Sequence, residues 1–162
     1  MKSGVVLPLS EEGGVTPGYA AIRAYARHAE QAGFDSLWVF DHLLFRRPNE
    51  PATQGIWECW TVLAALAEAT ERVELGTIVL CLPFRNPALV AKMAVTLDEV
   101  SGGRLILGLG AGWHQPEFDA FGYPFDHLAS RFEEGLQIIG PLLRTGRVDF
   151  RGRFYSAPNC EI

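Results

Sequence analysis

Short apolar runs alternate with amphipathic segments along the whole chain. The runs lie at residues 5–9, 36–40, 73–80 and 105–109 and consist mainly of aliphatic and aromatic residues. Each is followed by a loop and then by apolar residues spaced three and four positions apart, which is helical periodicity. The runs start 31 to 37 residues apart, enough for a strand, a crossover helix and two loops. The pattern predicts consecutive βα units and therefore a parallel sheet.

Capping signals mark the predicted helices. Thr16 as N-cap and Pro17 at the first helical position predict the start of helix one, and Gly33 predicts its end. Its predicted buried face has apolar residues at helical spacing: Tyr19, Ile22, Ala26 and Ala29. Asn86 and Pro87 give the same start signal for helix three. The predicted buried stripe of helix three comprises Leu89, Met93, Leu97 and Val100.

The remaining segments complete four βα units and a tail. Helices two and four are predicted near residues 58–69 and 129–143. The polar, proline-containing segment 45–55 is predicted to be a functional loop at a strand end. In the tail, residues 147–162, Gly152 lies among aromatic residues, which predicts a short hairpin.

Two α/β architectures fit this pattern. Consecutive right-handed βα units either form an open, doubly wound sheet or close into a (β/α)₈ barrel, and periodicity alone does not distinguish the two. A complete barrel needs about 250 residues, whereas the chain has 162. In a barrel, residues 1–162 would therefore form a single partial domain with about the first four βα units and a C-terminal extended excursion.

The composition argues against several classes of protein. Apolar residues make up 48% of the chain and the net charge is −5, so we expect neither nucleic acid nor a membrane surface as partner. The first ten residues contain one Lys and no long apolar stretch, and we expect a cytoplasmic protein. Cys59, Cys81 and Cys160 are far apart, which predicts reduced packing cysteines rather than disulfides or a thiolate metal site.

An ionisable pair, Asp41 and His42, directly follows the run 36–40. Because α/β proteins build their sites at the carboxyl ends of parallel strands, this pair is the first catalytic candidate. A histidine there can donate a hydrogen bond or a proton to a redox ring near neutral pH. The simpler interpretation is that Asp41 caps the following turn beside a solvated His42.

A glycine-rich segment, GLGAGW at residues 108–113, follows the fourth run. Glycines there let backbone N–H groups approach a flat ring or a phosphate closely. The segment matches the dinucleotide fingerprint only superficially, because Trp113 stands where the third glycine is required. His114 and Glu117 are spaced to share a helix face, but without a third ligand they predict no metal site. No GxSxG motif supports a hydrolase.

Several motifs, in this order and spacing, resemble those of the bacterial luciferase-like monooxygenase family. They are WVFDH at 38–42, LGTIV at 75–79, PFRNP at 83–87, SGGRL at 101–105, GLGAGW at 108–113, EF at 117–118, FG at 121–122 and RFEE at 131–134. The resemblance covers essentially the whole chain. It implies a (β/α)₈ TIM barrel, truncated to about the first four βα units, with FMN or the deazaflavin coenzyme F(420) at its C-terminal mouth.

The resemblance also implies roles for individual residues. Members that end strand two in Asp-His are similar to the deazaflavin-dependent dehydrogenases and reductases, in which this histidine lies beside the reactive ring edge. Asp41 and His42 are the implied catalytic residues, and F(420) is favoured over FMN. Family barrels support the ring on a non-prolyl cis peptide bond, here Ile78 to Val79. The implied cofactor contacts are Thr77, Ile78, Val79, Gly110, Ala111 and Gly112, and the implied substrate contacts are Trp113 and Glu117.

The implied function is a two-electron hydride transfer between the bound cofactor and a small organic substrate. In the deazaflavin-dependent sugar-phosphate dehydrogenases a glutamate follows the glycine segment, whereas this chain has Trp113, which argues against a sugar-phosphate substrate. The alternative is a non-catalytic half-barrel fragment or assembly subunit. As a half-barrel, these residues would leave sheet edges unpaired, and the resemblance implies that the cofactor's phosphate is held largely by later loops. We therefore expect these 162 residues alone to bind cofactor weakly and to form homo-oligomers.

Overall fold

The computed structural model describes residues 1–46 and 52–162. Residues 47–51, the middle of the predicted loop 45–55, lie outside the described residues. Within the described ranges, no helix is both long and apolar enough to cross a membrane.

The chain forms two compact units. The first consists of Met1–Leu80 and Leu97–Gly108, and the second of Cys81–Thr96 and Leu109–Ile162. The single domain expected over the whole chain stays a prediction. In chain order the elements are β1 Gly4–Val6, α1 Tyr19–Gln31, β2 Ser36–Val39, α2 Cys59–Ala69, β3 Glu74–Thr77, β4 Leu80–Cys81, a 3₁₀ turn Leu82–Phe84, α3 Pro87–Ser101, β5 Leu105–Ile106, β6 Leu109–Gly110, α4 Gln115–Phe121, α5 Leu128–Thr145, β7 Arg147–Arg151 and β8 Ser156–Glu161.

The first unit is built on a four-stranded sheet with the order β1-β2-β3-β5 and parallel pairing throughout. Leu37 of β2 lies opposite Val5 of β1 and Leu75 of β3. Leu37 and Leu75 are fully buried, and helices α1 and α2 pack against β2 and β3 respectively. The predicted parallel βα arrangement is confirmed.

The indole of Trp38 lies on the other face of this sheet. Successive strand residues point to opposite faces, so Trp38 shares a face with Gly4 and Gly76 on the neighbouring strands. A Cβ at either glycine would collide with the indole. The ring nitrogen Nε1 donates to Ser36 Oγ at 2.9 Å. The two glycines therefore provide the space in which the indole lies across β1 and β3.

The first helix begins later than predicted. Helix α1 starts at Tyr19 with Gly18 as N-cap, and the Gly18 carbonyl accepts the first helical hydrogen bonds. The predicted cap, Thr16, has its hydroxyl against Gly55, where a Cβ would collide with it. The Thr16 prediction is therefore wrong. The predicted buried face is confirmed for Ile22, Ala26 and Ala29, while Tyr19 is half-buried.

Helix α3 begins where predicted but buries a different face. Asn86 Oδ1 accepts hydrogen bonds from the backbone N–H groups of Ala88 at 2.9 Å and Leu89 at 3.2 Å, which confirms the cap. In the predicted stripe Leu97 is buried and Met93 is half-buried. The prediction is wrong at Leu89, which is 53% exposed, and at Val100, which is 52% exposed. The helix has apolar residues on two faces. The face that it buries carries smaller side chains and consists of Val90, Ala91, Ala94 and Leu97.

Arg104 ties the end of α2 to the start of β5. Its guanidinium group donates to the Thr70 hydroxyl at 2.9 Å and to the Val73 carbonyl at 3.0 Å. It also donates to the carbonyls of Ala67 at 2.8 Å and Thr70 at 2.9 Å, while Nε donates to the Ser101 carbonyl. One planar, always charged group thus satisfies acceptors in three segments at once.

Glu30 performs the corresponding role at the end of α1. Its Oε1 accepts from the backbone N–H groups of Glu71 at 3.0 Å, Arg72 at 2.7 Å and Val73 at 3.1 Å. Burial by itself raises the pKa of Glu30, but these three donors outweigh it and hold the pKa below its ordinary value. The ionised carboxylate therefore stabilises residues 71–73, the segment directly before β3.

The second unit joins α5 to the hairpin of β7 and β8, which pair antiparallel. The Glu134 carboxylate on α5 accepts from the backbone N–H groups of Arg153 at 2.9 Å, Phe154 at 2.9 Å and Tyr155 at 3.1 Å. These charge-assisted hydrogen bonds hold the hairpin turn against the helix. The predicted hairpin at the C-terminal tail is confirmed.

We predict that Arg104→Ala lowers the free energy of unfolding by about 2–4 kcal/mol, because several buried carbonyls lose a charged donor at once. Arg104→Lys restores only part of this stability, since an ammonium group does not span all the acceptors. Urea denaturation measures both effects. Arg23→Ala, an exposed change on α1, is the control and leaves stability within about 0.5 kcal/mol. Equal losses in the two alanine variants would contradict the assignment.

Candidate functional site

The carboxylate of Asp41 lies buried just beyond the end of β2. Its Oδ1 accepts a hydrogen bond from the Cys59 thiol, with 3.2 Å between Sγ and Oδ1. Cys59 is the first residue of α2, and Glu58 caps this helix by accepting from the N–H groups of Trp60 at 3.1 Å and Thr61 at 2.7 Å. Two carboxylates and a thiol thus gather at the N-terminal end of α2, where the helix dipole stabilises negative charge.

His42 is half-buried and lies close to two phenylalanine rings. The centroid of its imidazole is 6.3 Å from that of Phe40 and 5.3 Å from that of Phe45, which it meets edge-on at 69°. Phe45 is itself held by an antiparallel bridge to Gln54. Because the imidazole is half-buried beside two aromatic rings, a fully solvated histidine, the simpler interpretation of the sequence, does not describe this arrangement.

Reciprocal hydrogen bonds fix the end of β3 against Gly108. The Thr77 hydroxyl donates to the Gly108 carbonyl at 2.7 Å and accepts from the Gly108 N–H at 3.0 Å. A Cβ at Gly108 would collide with the Thr77 carbonyl oxygen. One residue further on, the Ile78 N–H donates to the Val39 carbonyl at 2.7 Å. The carboxyl end of β3 is thereby joined to β2 on one side and to the segment after β5 on the other.

The peptide bond between Ile78 and Val79 is cis, which confirms the prediction from the family resemblance. The side chains of these two residues are 52% and 46% exposed, although Thr77 before them and Leu80 after them are buried. The sheet edge that carries the Asp41–His42 pair therefore also presents a small apolar surface on a fixed backbone.

In the second unit, the predicted glycine segment runs from β6 towards α4. Gly110 ends β6, Ala111 follows, and Gly112 has a left-handed φ of 80°. A Cβ at Gly112 would lie 2.7 Å from Cys81 Sγ and 2.7 Å from the Phe118 ring. Both the backbone conformation and the close packing therefore require glycine at this position.

The two predicted substrate contacts differ in exposure. Trp113 is 65% exposed as a residue, and its ring packs on His114 with 5.1 Å between ring centroids. Glu117 lies in the first turn of α4 and is buried together with Phe118. An exposed indole offers a flat apolar surface to a ligand. A substrate contact by Glu117 stays a prediction.

The predicted residues divide between the two units. In the first, the structure brings the acid–histidine pair and the strand-three residues to one edge of the parallel sheet: Asp41, His42, Thr77, Ile78 and Val79. The second contains the glycine segment and the two substrate candidates: Gly110, Ala111, Gly112, Trp113 and Glu117.

Sequence reasoning missed the contact between Asp41 and the start of α2, because Cys59 is predicted there only to fill space. The signal is topological: in a βα unit the strand ends at the same edge at which the following helix begins. Among the described residues, the ligand atoms of Asp41, Glu58 and Cys59 lie within 4.8 Å of one another, as in a metal site. Helix capping and the thiol hydrogen bond account for their positions, so we assign no metal to them.

One protein-family model matches the whole chain. The family model described as luciferase-like monooxygenase covers residues 1–162. The F(420)-dependent glucose-6-phosphate dehydrogenase of Amycolatopsis mediterranei is 36% identical over 143 residues, which are 85% of this chain and 42% of that protein. The pyrimidine monooxygenase RutA of Klebsiella pneumoniae is 32% identical over 176 residues, covering 100% of this chain and 48% of that protein.

A solved structure of similar fold also matches nearly the whole chain. An F(420)-dependent secondary alcohol dehydrogenase, in complex with an F(420)-acetone adduct, superimposes with a TM-score of 0.80 at 26% identity. The match covers 99% of this chain and 48% of that one. The chain thus spans about half the length of the relatives it matches. The predicted fold class, an α/β luciferase-like barrel truncated to about the first four βα units, is confirmed.

We predict that Gly112→Ala destabilises the chain by about 2–4 kcal/mol, because it combines a left-handed alanine with overpacking against Cys81 and Phe118. Gly122→Ala is a matched control, since Gly122 has a φ of 75° and open space at its Cβ position. It carries only the backbone penalty of about 1 kcal/mol. Urea denaturation measures the difference, and losses that agree between the two variants would show that packing at Gly112 does not matter.

Proposed function

The chain belongs to the luciferase-like monooxygenase family, and on this premise we propose that it is the ring-binding part of a flavin- or deazaflavin-dependent oxidoreductase. The reaction is a two-electron hydride transfer between the cofactor and a small organic substrate. The observation that carries this proposal is the half-buried His42, held near Phe40 and Phe45 at the sheet edge that presents Ile78 and Val79.

The sheet edge of the first unit offers a flat apolar surface that suits the planar ring of a flavin or deazaflavin. Ile78 and Val79 supply exposed apolar surface, and the hydrogen bonds between Thr77 and Gly108 keep that surface in place. A rigid apolar platform suits a flat tricyclic ring, whose faces are apolar and whose edges carry polar atoms. In the second unit, the backbone of Gly110, Ala111 and Gly112 offers N–H groups close to a ligand without interfering side chains.

His42 is the residue that acts on a proton. When bound, the cofactor supplies the hydride chemistry, which no amino-acid side chain supplies. The imidazole of His42, which lies beside the rings of Phe40 and Phe45, holds or donates a proton at a ring nitrogen. Asp41 does not reach the surface itself. It anchors the end of β2 and thereby the backbone of the histidine.

Coenzyme F(420) is the favoured cofactor and FMN is the alternative. The support is the Asp41-His42 ending of β2 together with two relatives that are named as F(420)-dependent, the glucose-6-phosphate dehydrogenase and the secondary alcohol dehydrogenase. A pyrimidine monooxygenase matches at 32% identity against 36% for the dehydrogenase. Overall similarity therefore does not distinguish the cofactors, and the preference for F(420) comes from the acid–histidine pair.

The proposed substrate is small and rather apolar. Trp113 stands where the sugar-phosphate dehydrogenases of the family have a glutamate, and this residue is 65% exposed. An indole stacks on apolar or planar groups and offers no charge to a polyhydroxylated phosphate ester. A homo-oligomeric state and a cytoplasmic location remain predictions from the sequence.

We predict that the product of the longest reading frame containing this chain binds F(420) more tightly than FMN. Equilibrium titration followed by cofactor fluorescence measures both affinities. The 162-residue chain, titrated in parallel, binds either cofactor weakly, and sedimentation over a range of concentrations shows self-association. Tight FMN binding without F(420) binding would reverse the cofactor assignment. If the reading frame ends at Ile162 and neither cofactor binds, the chain is instead a non-catalytic half-barrel.

We predict that, in the product of the longest reading frame containing this chain, His42→Ala lowers kcat by about 10²-fold or more while changing cofactor affinity by no more than about threefold, because the imidazole acts in proton transfer. Steady-state kinetics of the cofactor-loaded protein, with cofactor titration alongside, separates the two effects. His28→Ala, an exposed histidine change near the end of α1, is the control. Turnover of His42→Ala within about twofold of the unchanged protein would remove His42 from the reaction.

A further inference from the structure

A buried thiol lies against the acidic residue that precedes His42. The Cys59 side chain has no exposed surface, and its Sγ lies 3.2 Å from Asp41 Oδ1. Resting on the proposed function, we propose that Cys59 is a positioning residue for His42. Its thiol fixes the Asp41 carboxylate, and the fixed carboxylate holds the peptide that carries the imidazole.

The electrostatic surroundings favour a hydrogen-bond donor beside Asp41. The Asp41 carboxylate is buried beside a second carboxylate, Glu58, and the ligand atoms of these residues and Cys59 lie within 4.8 Å. Two carboxyl groups so close repel each other when both are ionised, and a buried carboxylate is costly unless it is hydrogen-bonded. Glu58 accepts two backbone N–H groups of α2. Asp41 accepts the thiol hydrogen, and the helix dipole favours both anions.

A cysteine suits this position better than a charged or strongly polar residue. A thiol is apolar enough to be buried at the start of α2, yet it still donates one weak hydrogen bond. A lysine there would add a fixed charge with its own desolvation cost. Cys59 therefore packs as a core residue and orients Asp41 through the same atom.

The position of Asp41 is transmitted to His42 through one peptide bond. The imidazole lies near the rings of Phe40 and Phe45, so a small rotation of the Asp41–His42 peptide changes the direction of its nitrogens. The apolar platform at Ile78 is held separately, by Thr77, Gly108 and the Val39 carbonyl. Loss of the thiol is therefore expected to affect the catalysed step and to leave ligand binding unchanged.

The test compares Cys59→Ala, which removes the donor, with Cys59→Ser, which keeps one. Val62→Ala, a buried change further along α2, is the control for a simple loss of packing. In the product of the longest reading frame containing the chain, we expect Cys59→Ala to lower kcat about tenfold with KM within about twofold. We expect Cys59→Ser to recover most of kcat, and Val62→Ala to lower Tm but leave kcat within about twofold.

A second readout does not depend on activity. The chain has four histidines, and the variant His42→Gln identifies the imidazole resonance of His42 in a proton–carbon NMR spectrum. At fixed pH we expect this resonance to shift in Cys59→Ala, to return towards its original position in Cys59→Ser and to stay unchanged in Val62→Ala. An unchanged resonance in Cys59→Ala would overturn the inference. An inactive protein in which the resonance still shifts would overturn the proposed function and leave the positioning role standing.

Discussion

In a parallel sheet every strand delivers its carboxyl end to the same edge, and in this chain that edge is held by hydrogen bonds between neighbouring strand ends. Thr77 exchanges two hydrogen bonds with Gly108, and the Ile78 N–H donates to the Val39 carbonyl. These contacts fix the segments after β2, β3 and β5 together. An imidazole and an apolar dipeptide then share one surface because the sheet is parallel, without any local sequence signal that joins them.

The two residues of the acid–histidine pair differ in burial. Asp41 is buried and bound to the start of α2 through Cys59, whereas His42 is half-buried and lies against Phe40 and Phe45. A buried carboxylate is costly unless it is hydrogen-bonded, and the N-terminal end of a helix is a place where that cost is offset. In the proposed function the acid therefore contributes rigidity, and the histidine, which remains partly accessible, contributes chemistry.

Much of the fold follows from periodicity and capping, as the parallel order of the strands and the Asn86 cap show. The buried face of α3 does not follow, because the helix is apolar on two sides and the pattern does not say which one meets the core. The sequence predicts Thr16 as a helix cap, but its hydroxyl packs on Gly55, which is distant in sequence. The cis bond at Ile78 came from family resemblance, and the thiol at Asp41 required the fold.

A crystal structure of the protein that contains this chain, with F(420) or FMN bound, tests the proposed ring site most directly. We predict that the ring lies against Ile78 and Val79, that the imidazole of His42 is in hydrogen-bonding distance of the ring or of the substrate, and that Asp41 remains bound to Cys59. A ring bound elsewhere, with the His42 imidazole turned into solvent, would contradict this prediction.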